Sequence, residues 1–127
     1  MIKMEKTILI VDDQEEVRNL IFFSLKQLGY NLILASDGQE ALECYKKNKP
    51  EIIILDIMMP GELSGFDVCK TIKEDTESTT KIIFLSALSQ PDKIGQGFAV
   101  GADAYITKPF SPMALIREIH RLVRLEE

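Results

Sequence analysis

The sequence is poor in several features on which common functions depend. It has only two cysteines and one histidine in 127 residues. Cys44 and Cys69 form no Cys-x-x-Cys pair and fall in predicted helices, so we expect small buried apolar residues instead of a disulfide or a metal site. No apolar run approaches the roughly 20 residues that a membrane-spanning helix needs. The sequence therefore disfavours a protein held together by disulfides and a protein that spans a membrane.

Charge and size narrow the class further. The net charge of -5 lacks the basic footprint of a nucleic-acid-binding protein. With 46% hydrophobic and 28% charged residues, the composition is that of a globular protein, and we expect a single domain over residues 1–127. The charged first six residues do not resemble a signal peptide, so we expect a cytoplasmic protein.

Short apolar runs recur along the chain between helical segments. Three of them, Ile8–Val11, Ile52–Leu55 and Ile82–Leu85, have no polar member, as expected of strands buried on both faces. Such strands alternating with helices predict a parallel sheet in an α/β domain. The predicted strands are Thr7–Val11, Leu32–Ala35, Glu51–Leu55, Lys81–Leu85 and Ala104–Ile106.

The segments between and after these strands carry helical periodicity and helix-end signals. Gly95 and Gly97 each cost up to about 1 kcal/mol inside a helix, so we expect the fourth helix to be the least stable. The predicted helices are Gln14–Leu28, Ser36–Lys47, Phe66–Glu74, Pro91–Val100 and Pro112–Leu125. Residues predicted to be buried are Val17, Leu20, Ile21, Leu25 and Leu28 in the first helix, and Leu115, Ile116, Ile119, Leu122 and Val123 in the last.

Polar side chains stand at or just past the ends of four predicted strands. Asp12 and Asp13 follow the first strand, Asp56 the third, Ser86 the fourth and Lys108 the fifth. Ligands of open parallel sheets bind outside the carboxyl ends of the strands. One mouth would therefore collect three carboxylates, a hydroxyl and an ammonium, which suit a divalent cation and a phosphoryl group.

The chemistry of this set is specific. Clustered carboxylates repel one another until a cation relieves the repulsion, and ligands that are all oxygen suit Mg²⁺. A carboxylate such as Asp56 can also attack phosphorus and form an aspartyl phosphate, while Lys108 neutralises the transferred group. Ser86 offers a hydroxyl to a phosphate oxygen, and a cis Lys108–Pro109 bond would aim the amine into the site.

Taken singly, each of these residues has a simpler structural interpretation. Asp12 and Asp13 could cap the first helix and fill its first turn. Ser86 could be a turn residue, Lys108 a solvated surface lysine, and Tyr105 a packing residue of its strand. The functional interpretation depends on their convergence at one edge of the sheet.

Four stretches together resemble the receiver domain of two-component response regulators. They are ILIVDD (8–13), LDIMMP (55–60), LSA (85–87) and YITKPF (105–110), in this order and with matching strand context. The resemblance covers nearly all of the chain. It implies a doubly wound, flavodoxin-like fold whose five parallel strands have the order 2-1-3-4-5.

The resemblance also implies a role for each site residue. Asp56 would accept a phosphoryl group from a phosphohistidine of a histidine kinase or histidine phosphotransfer protein. Asp13 and Asp56 would ligate Mg²⁺ directly, together with the backbone carbonyl of Met58, and Asp12 would act through a bound water. Lys108 would pair with Asp56 before the transfer and with the phosphate afterwards.

A switch is the second implication of the resemblance. Ser86 would close on the phosphate and Tyr105 would rotate inward behind it, shifting the face made by the fourth helix, the fifth strand and the fifth helix. Such a domain catalyses only its own phosphorylation and slow dephosphorylation. Its target would be a downstream protein or effector domain, and phosphorylation-dependent dimerisation stays open.

The sequence departs from the family pattern in the length of one loop, and two positions lack a side chain that could orient an attacking water. Four residues, 61–64, separate Pro60 from Gly65 where the usual pattern has three, so the loop beside the acceptor is one residue longer. The residues two past Asp56 and two past Ser86 are Met58 and Leu88. Neither is an acid or an amide, so neither offers a group to position an attacking water. We therefore expect slow loss of the phosphoryl group.

Two other functions stay open at this point. A pseudo-receiver that never carries phosphate would have no need of three clustered acids. A small Mg²⁺-dependent phosphohydrolase would need a second acid where Met58 stands, and a cap domain as well. No effector domain follows the last helix, so the chain would be either a stand-alone receiver or part of a longer regulator or hybrid kinase.

Overall fold

A computed structural model of the chain describes residues 6–124. Five parallel strands form one sheet in the order β2-β1-β3-β4-β5, which confirms the expected fold and strand order. Within the described part of the chain, no helix is long and apolar enough to cross a membrane. The strands are β1 (Thr7–Val11), β2 (Asn31–Ala35), β3 (Ile52–Leu55), β4 (Lys81–Ser86) and β5 (Ala104–Thr107). The helices are α1 (Glu15–Leu25), α2 (Gly38–Asn48), α3 (Gly65–Glu74), α4 (Pro91–Ala99) and α5 (Pro112–Arg124).

The sheet separates two apolar layers, because successive side chains of a strand point to opposite faces. In β1, Leu9 and Val11 pack in a cluster with residues of α2 and α3, whereas Ile8 and Ile10 pack in a cluster with residues of α1 and α5. All four residues of β3 are buried. The apolar runs without polar members are therefore explained by helices on both faces of the central strands.

The first helix differs from its prediction in length and in one buried residue. The α-helix ends at Leu25 and continues as a 3-10 turn over Lys26–Leu28, before Gly29 in the left-handed conformation. Leu20 was predicted to be buried and is 51% exposed, so that prediction was wrong. Spacing places Leu20 at the margin of the apolar stripe, where burial depends on the neighbouring element and not on α1 itself.

The last helix largely follows the prediction. Leu115, Ile119 and Leu122 are buried, and Ile116 and Val123 are half-buried beside them. The predicted end of this helix at residue 125 lies outside the described residues.

The glycines of α4 have different surroundings. A Cβ added at Gly95 would meet nothing within 4 Å. A Cβ added at Gly97 would lie 3.1 Å from Cδ2 of Tyr105 and 3.2 Å from Cδ2 of Phe84. Because Gly97 has no side chain, α4 can approach the two aromatic rings closely. Helix propensity alone did not predict this packing role.

A capping box fixes the start of α3. The side chain of Ser64 accepts a hydrogen bond from the backbone N–H of Asp67, and the carboxylate of Asp67 accepts one from the backbone N–H of Ser64. Such reciprocal bonds satisfy two backbone donors that the first helical turn leaves free. The loop that follows β3 therefore ends at a defined point.

The two cysteines differ in burial, which corrects the expectation for Cys44. Cys69 is buried in α3, whereas Cys44 in α2 is only half-buried. Burial raises the pKa of Cys69 to about 12, so almost none of this thiol is ionised at neutral pH.

We expect iodoacetamide to label Cys44 in the folded protein and Cys69 only after unfolding, as read by peptide mass spectrometry. Equal labelling of both thiols in the folded protein would contradict this expectation.

Candidate functional site

The five polar residues singled out in the sequence converge at the carboxyl edge of the sheet. Asp12 follows β1 and Asp56 follows β3, which are neighbouring strands. Ser86 is the last residue of β4, which runs one residue further than predicted, and Lys108 comes directly after β5. The alternation of parallel strands and helices brings these positions to one edge, as the sequence indicated.

Three carboxylates form a compact cluster at this edge. One carboxylate oxygen from each of Asp12, Asp13 and Asp56 lies within 4.8 Å of the other two. Asp12 is 1% exposed and Asp56 is 6% exposed, whereas Asp13 is exposed to solvent. A set of hard oxygen donors that opens to solvent on one side fits Mg²⁺, which keeps several waters and takes one or two carboxylates.

Lys108 bridges two of the acids. Its Nζ lies 2.8 Å from Oδ2 of Asp12 and 3.4 Å from Oδ2 of Asp56. The peptide bond between Lys108 and Pro109 is cis, as expected from the sequence. The sequence interpretation paired Lys108 with Asp56 alone, whereas the shorter contact is with Asp12.

The electrostatics of the cluster are set by burial and by these contacts. Burial raises the pKa of the Asp56 carboxyl above its ordinary value, the charge of Lys108 opposes that rise, and the charge of Asp12 adds to it. Burial acts to lower the pKa of Lys108, but the hydrogen bond to Asp12 and the charge of Asp56 raise it overall. Lys108 therefore keeps its charge and partly neutralises the acids.

The turn between β1 and α1 is held by side chains. Oδ1 of Asp12 accepts a hydrogen bond from the backbone N–H of Gln14 at 2.9 Å. The residue in the N-cap position of α1 is Gln14, without a side-chain cap, so Asp12 and Asp13 do not cap this helix. The guanidinium of Arg18 donates to the backbone carbonyl of Asp12 at 2.7 Å. Sequence reasoning missed Arg18, because a contact with a main-chain oxygen leaves no pairing signal in the sequence.

Ser86 and Tyr105 meet at the loop that follows β4. The hydroxyl of Ser86 accepts a hydrogen bond from the backbone N–H of Leu88 at 3.2 Å, and the hydroxyl of Tyr105 donates to the carbonyl of Leu88 at 2.5 Å. The ring of Tyr105 is half-buried, with its centroid 5.9 Å from that of Phe84. Both side chains are thus bonded to the same residue of one loop.

The loop after Asp56 is fixed at both ends. Oδ1 of Asp56 accepts a hydrogen bond from the backbone N–H of Ile57 at 2.8 Å, and the N–H of Gly65 donates to the carbonyl of Ile57 at 2.8 Å. Between these points, Met58 is 62% exposed and Gly61 has a φ of 95°, in the left-handed region. Glycine adopts that conformation without steric cost, so the longer loop turns at Gly61.

Comparison with known proteins agrees with this site. The sequence model described as "Response regulator receiver domain" matches residues 8–120. The alkaline phosphatase synthesis transcriptional regulatory protein PhoP of Bacillus subtilis is 40% identical over 125 residues, which cover 98% of this chain and 51% of that protein. The chain therefore spans about half the length of this curated relative.

Solved structures lead to the same family. The receiver domain of the Francisella response regulator 1452 matches with a TM-score of 0.89 and 31% identity, over 97% of this chain and 100% of that chain. The BeF3-activated receiver domain of DrrB, a Thermotoga maritima protein, matches with a TM-score of 0.86 and 33% identity, over 95% and 99% of the two chains. With the carboxylate cluster, the lysine and the matched family model all in one fold, this chain belongs to the response regulator receiver domain family.

Proposed function

We propose that the chain is a signalling switch of a two-component system, in which Asp56 takes a phosphoryl group from a phosphohistidine. The donor would be a histidine kinase or a histidine phosphotransfer protein. The observation that carries the proposal is the Asp56 carboxylate at the end of a central strand, clustered with two further acids and facing Lys108. A relative of similar fold is described as a BeF3-activated receiver domain.

The contacts of the three acids favour Asp56 as the nucleophile. Both oxygens of Asp12 are engaged, Oδ1 by the N–H of Gln14 and Oδ2 by Lys108 at 2.8 Å. In Asp56, Oδ1 is held by a backbone N–H, whereas Oδ2 has only the longer, 3.4 Å contact with Lys108. Oδ2 of Asp56 is therefore the buried carboxylate oxygen with the weakest restraint, and we assign the attack on phosphorus to it.

The transfer then balances as a displacement at phosphorus. A bond forms between Oδ2 of Asp56 and phosphorus, the bond from phosphorus to the donor imidazole nitrogen breaks, and the electron pair leaves with that nitrogen. Lys108, already held by Asp12, would pair with the new phosphate oxygens, while Ser86 would offer its hydroxyl to one of them.

The acids would hold the metal that such transfers use. Asp13 and Asp56 would bind Mg²⁺ directly with the backbone carbonyl of Met58, and Asp12 would act through a water because its carboxylate already bonds to Lys108. The bound ion would neutralise negative charge on the transferred group. The residues two past Asp56 and two past Ser86 are Met58 and Leu88. Neither has an acid or amide group to position an attacking water, so the phosphoryl group would be lost slowly.

The signal would pass through Ser86 and Tyr105. To reach the phosphate, Ser86 would give up its bond with the N–H of Leu88, and the hydroxyl of Tyr105 bonds to the carbonyl of the same residue. Movement of Leu88 would therefore release Tyr105 and shift the face of α4, β5 and α5. A downstream protein, an effector domain or a second receiver would read that face, as the regulatory names of the longer relatives suggest.

Intact-protein mass after treatment with acetyl phosphate tests this function. We expect the gain of one phosphoryl group with Mg²⁺, and none in EDTA or in Asp56→Asn, which lacks the nucleophilic oxygen. Amide NMR spectra of the phosphorylated protein should show shifts at Leu88 and Tyr105. Asp103→Asn, which changes an acid directly before β5 at the opposite edge of the sheet, is the matched control and should gain the phosphoryl group.

The other outcomes separate the alternatives. No gain of mass under any condition would contradict the proposal and favour a pseudo-receiver. Steady turnover of small phosphate esters such as p-nitrophenyl phosphate would instead indicate a phosphohydrolase.

A further inference from the structure

The turn that presents Asp12 and Asp13 has an anchor outside the cluster of acids. The backbone N–H of Asp12 donates to the carbonyl of Ala35 in β2 at 3.2 Å, which extends the strand pairing by one residue. The carbonyl of Asp12 instead accepts from Nη1 of Arg18 at 2.7 Å, one turn into α1. The peptide group between Asp12 and Asp13 is therefore oriented by a side chain and not by the sheet.

Arg18 makes this contact although two acids lie close to it in the same helix. Arg18 is half-buried, and Glu15 and Glu16 occupy the first turn of the same helix. Among residues 6–124, the guanidinium nevertheless forms no ion pair and makes its one hydrogen bond to the main-chain oxygen of Asp12. Hydrogen bonds from a charged donor are roughly twice as strong as neutral ones, so this bond restrains the turn effectively.

We propose that Arg18 is a positioning residue for the Mg²⁺ ligands, acting through the carbonyl of Asp12. Fixing that carbonyl fixes the direction in which the chain leaves β1, and hence the placement of the Asp12 and Asp13 carboxylates relative to Asp56. Outer partners that orient metal ligands typically change metal affinity 10- to 100-fold when removed. The inference rests on the proposed function, because it concerns the metal which that function uses.

Charge and position predict opposite results for loss of Arg18. If the guanidinium acted only as a positive charge near three acids, its removal would strengthen binding of a cation, because it repels the ion. If it acts by orienting the turn, its removal weakens binding. Arg18→Met removes both the charge and the hydrogen bond, whereas Arg18→Lys keeps the charge and one donor.

The test is a titration of each folded protein with MgCl₂, followed by the amide NMR shifts of residues around the site. We expect Mg²⁺ to bind Arg18→Met about tenfold more weakly than wild type, with Arg18→Lys between the two. Phosphorylation by acetyl phosphate should slow at low Mg²⁺ and return to within about threefold of wild type at saturating Mg²⁺. Arg121→Met, which loses an exposed arginine of α5 paired with Glu118, is the matched control and should leave Mg²⁺ affinity unchanged.

The outcomes distinguish this inference from the function beneath it. Mg²⁺ affinity in Arg18→Met equal to or above that of wild type would overturn the positioning role and leave the phosphorylation switch standing. An equal loss in Arg121→Met would also overturn it, by indicating a general loss of order. Failure of the wild-type protein to bind Mg²⁺ at all would overturn both. If Arg18→Met does not fold, Arg18→Lys decides, since full wild-type affinity in that variant would contradict the need for the guanidinium geometry.

Discussion

Gly65→Ala is expected to destabilise the protein strongly and to disturb the proposed phosphorylation site. A Cβ at Gly65 would lie 2.3 Å from the backbone oxygen of Asp56 and 2.7 Å from Cα of Ile57. Neither atom belongs to a flexible side chain, so the backbone must move, which puts at risk the hydrogen bond from the N–H of Gly65 to Ile57. Overpacking and the lost bond together should cost about 3 kcal/mol in the free energy of unfolding.

Thermal unfolding measures this effect, with Gly95→Ala as the matched control. At about 4 °C per kcal/mol for a chain of this size, Tm should fall by about 12 °C in Gly65→Ala. Gly95 is also in a helix but has open space around it, so Gly95→Ala should raise stability by about 0.5 to 1 kcal/mol. An unchanged Tm in Gly65→Ala would show that the loop after Asp56 can move freely, and would contradict the close packing of Gly65 against the backbone of Asp56 and Ile57.

Lys108→Met is expected to impair both stability and phosphorylation. The substitution leaves two carboxylates, those of Asp12 and Asp56, buried without their shared cation. Breaking a buried pair costs several kcal/mol, and since Lys108 is partly exposed we expect about 2 kcal/mol in metal-free buffer. The phosphorylation rate should fall about 100-fold, the usual effect of losing one charge-stabilising donor.

The control for Lys108→Met is the same change at Lys73. Lys73 forms an ion pair with Asp103, which directly precedes β5 and hence lies at the opposite edge of the sheet. Lys73→Met should keep the wild-type phosphorylation rate, and its stability should not respond to Mg²⁺. In Lys108→Met, by contrast, Mg²⁺ should recover part of the lost stability, because the ion replaces the missing positive charge. Recovery of equal size in both variants would contradict the assignment of Lys108 to the metal-binding cluster.

The same variant has a defined pH dependence. Burial already raises the pKa of Asp56 in the wild type, and removal of Lys108, which lowers it, raises the pKa further. An acid whose pKa is higher in the folded state binds its proton more tightly there, so stability falls as pH rises from the ordinary value of 3.8 through the folded value. The stability difference between wild type and Lys108→Met should therefore be smallest near about pH 4 and grow towards neutral pH. Urea unfolding across this range measures it, and a constant difference would contradict the explanation.

The sequence was informative wherever position along a strand decides position in space. Asp12, Asp56, Ser86 and Lys108 follow or end strands of a parallel sheet, and that topology alone brings them to one edge. The strand order itself came from the family resemblance, since apolar runs do not state which strands are neighbours.

What the sequence did not predict depends on contacts between elements. Lys108 has a long side chain that reaches two acids, and only the packed structure shows that Asp12 is the nearer partner. Arg18 donates a hydrogen bond to a main-chain oxygen, and such a contact cannot be predicted from the side chains in the sequence. Gly97 was interpreted as a weakness of α4, although its hydrogen is what fits against Tyr105 and Phe84.

The loop between Ile57 and Gly65 has a consequence for how receivers of this family diversify. One hydrogen bond joins the two ends of the loop, and the capping box of α3 fixes the point where the loop ends. Between them the chain turns at Gly61, around which there is open space. Adding one residue to such a loop costs only about 0.1 kcal/mol in closure entropy. The loop can therefore change in length while the Asp56 carboxylate stays in place, so the surface next to the proposed acceptor can vary without a change in the chemistry of the site.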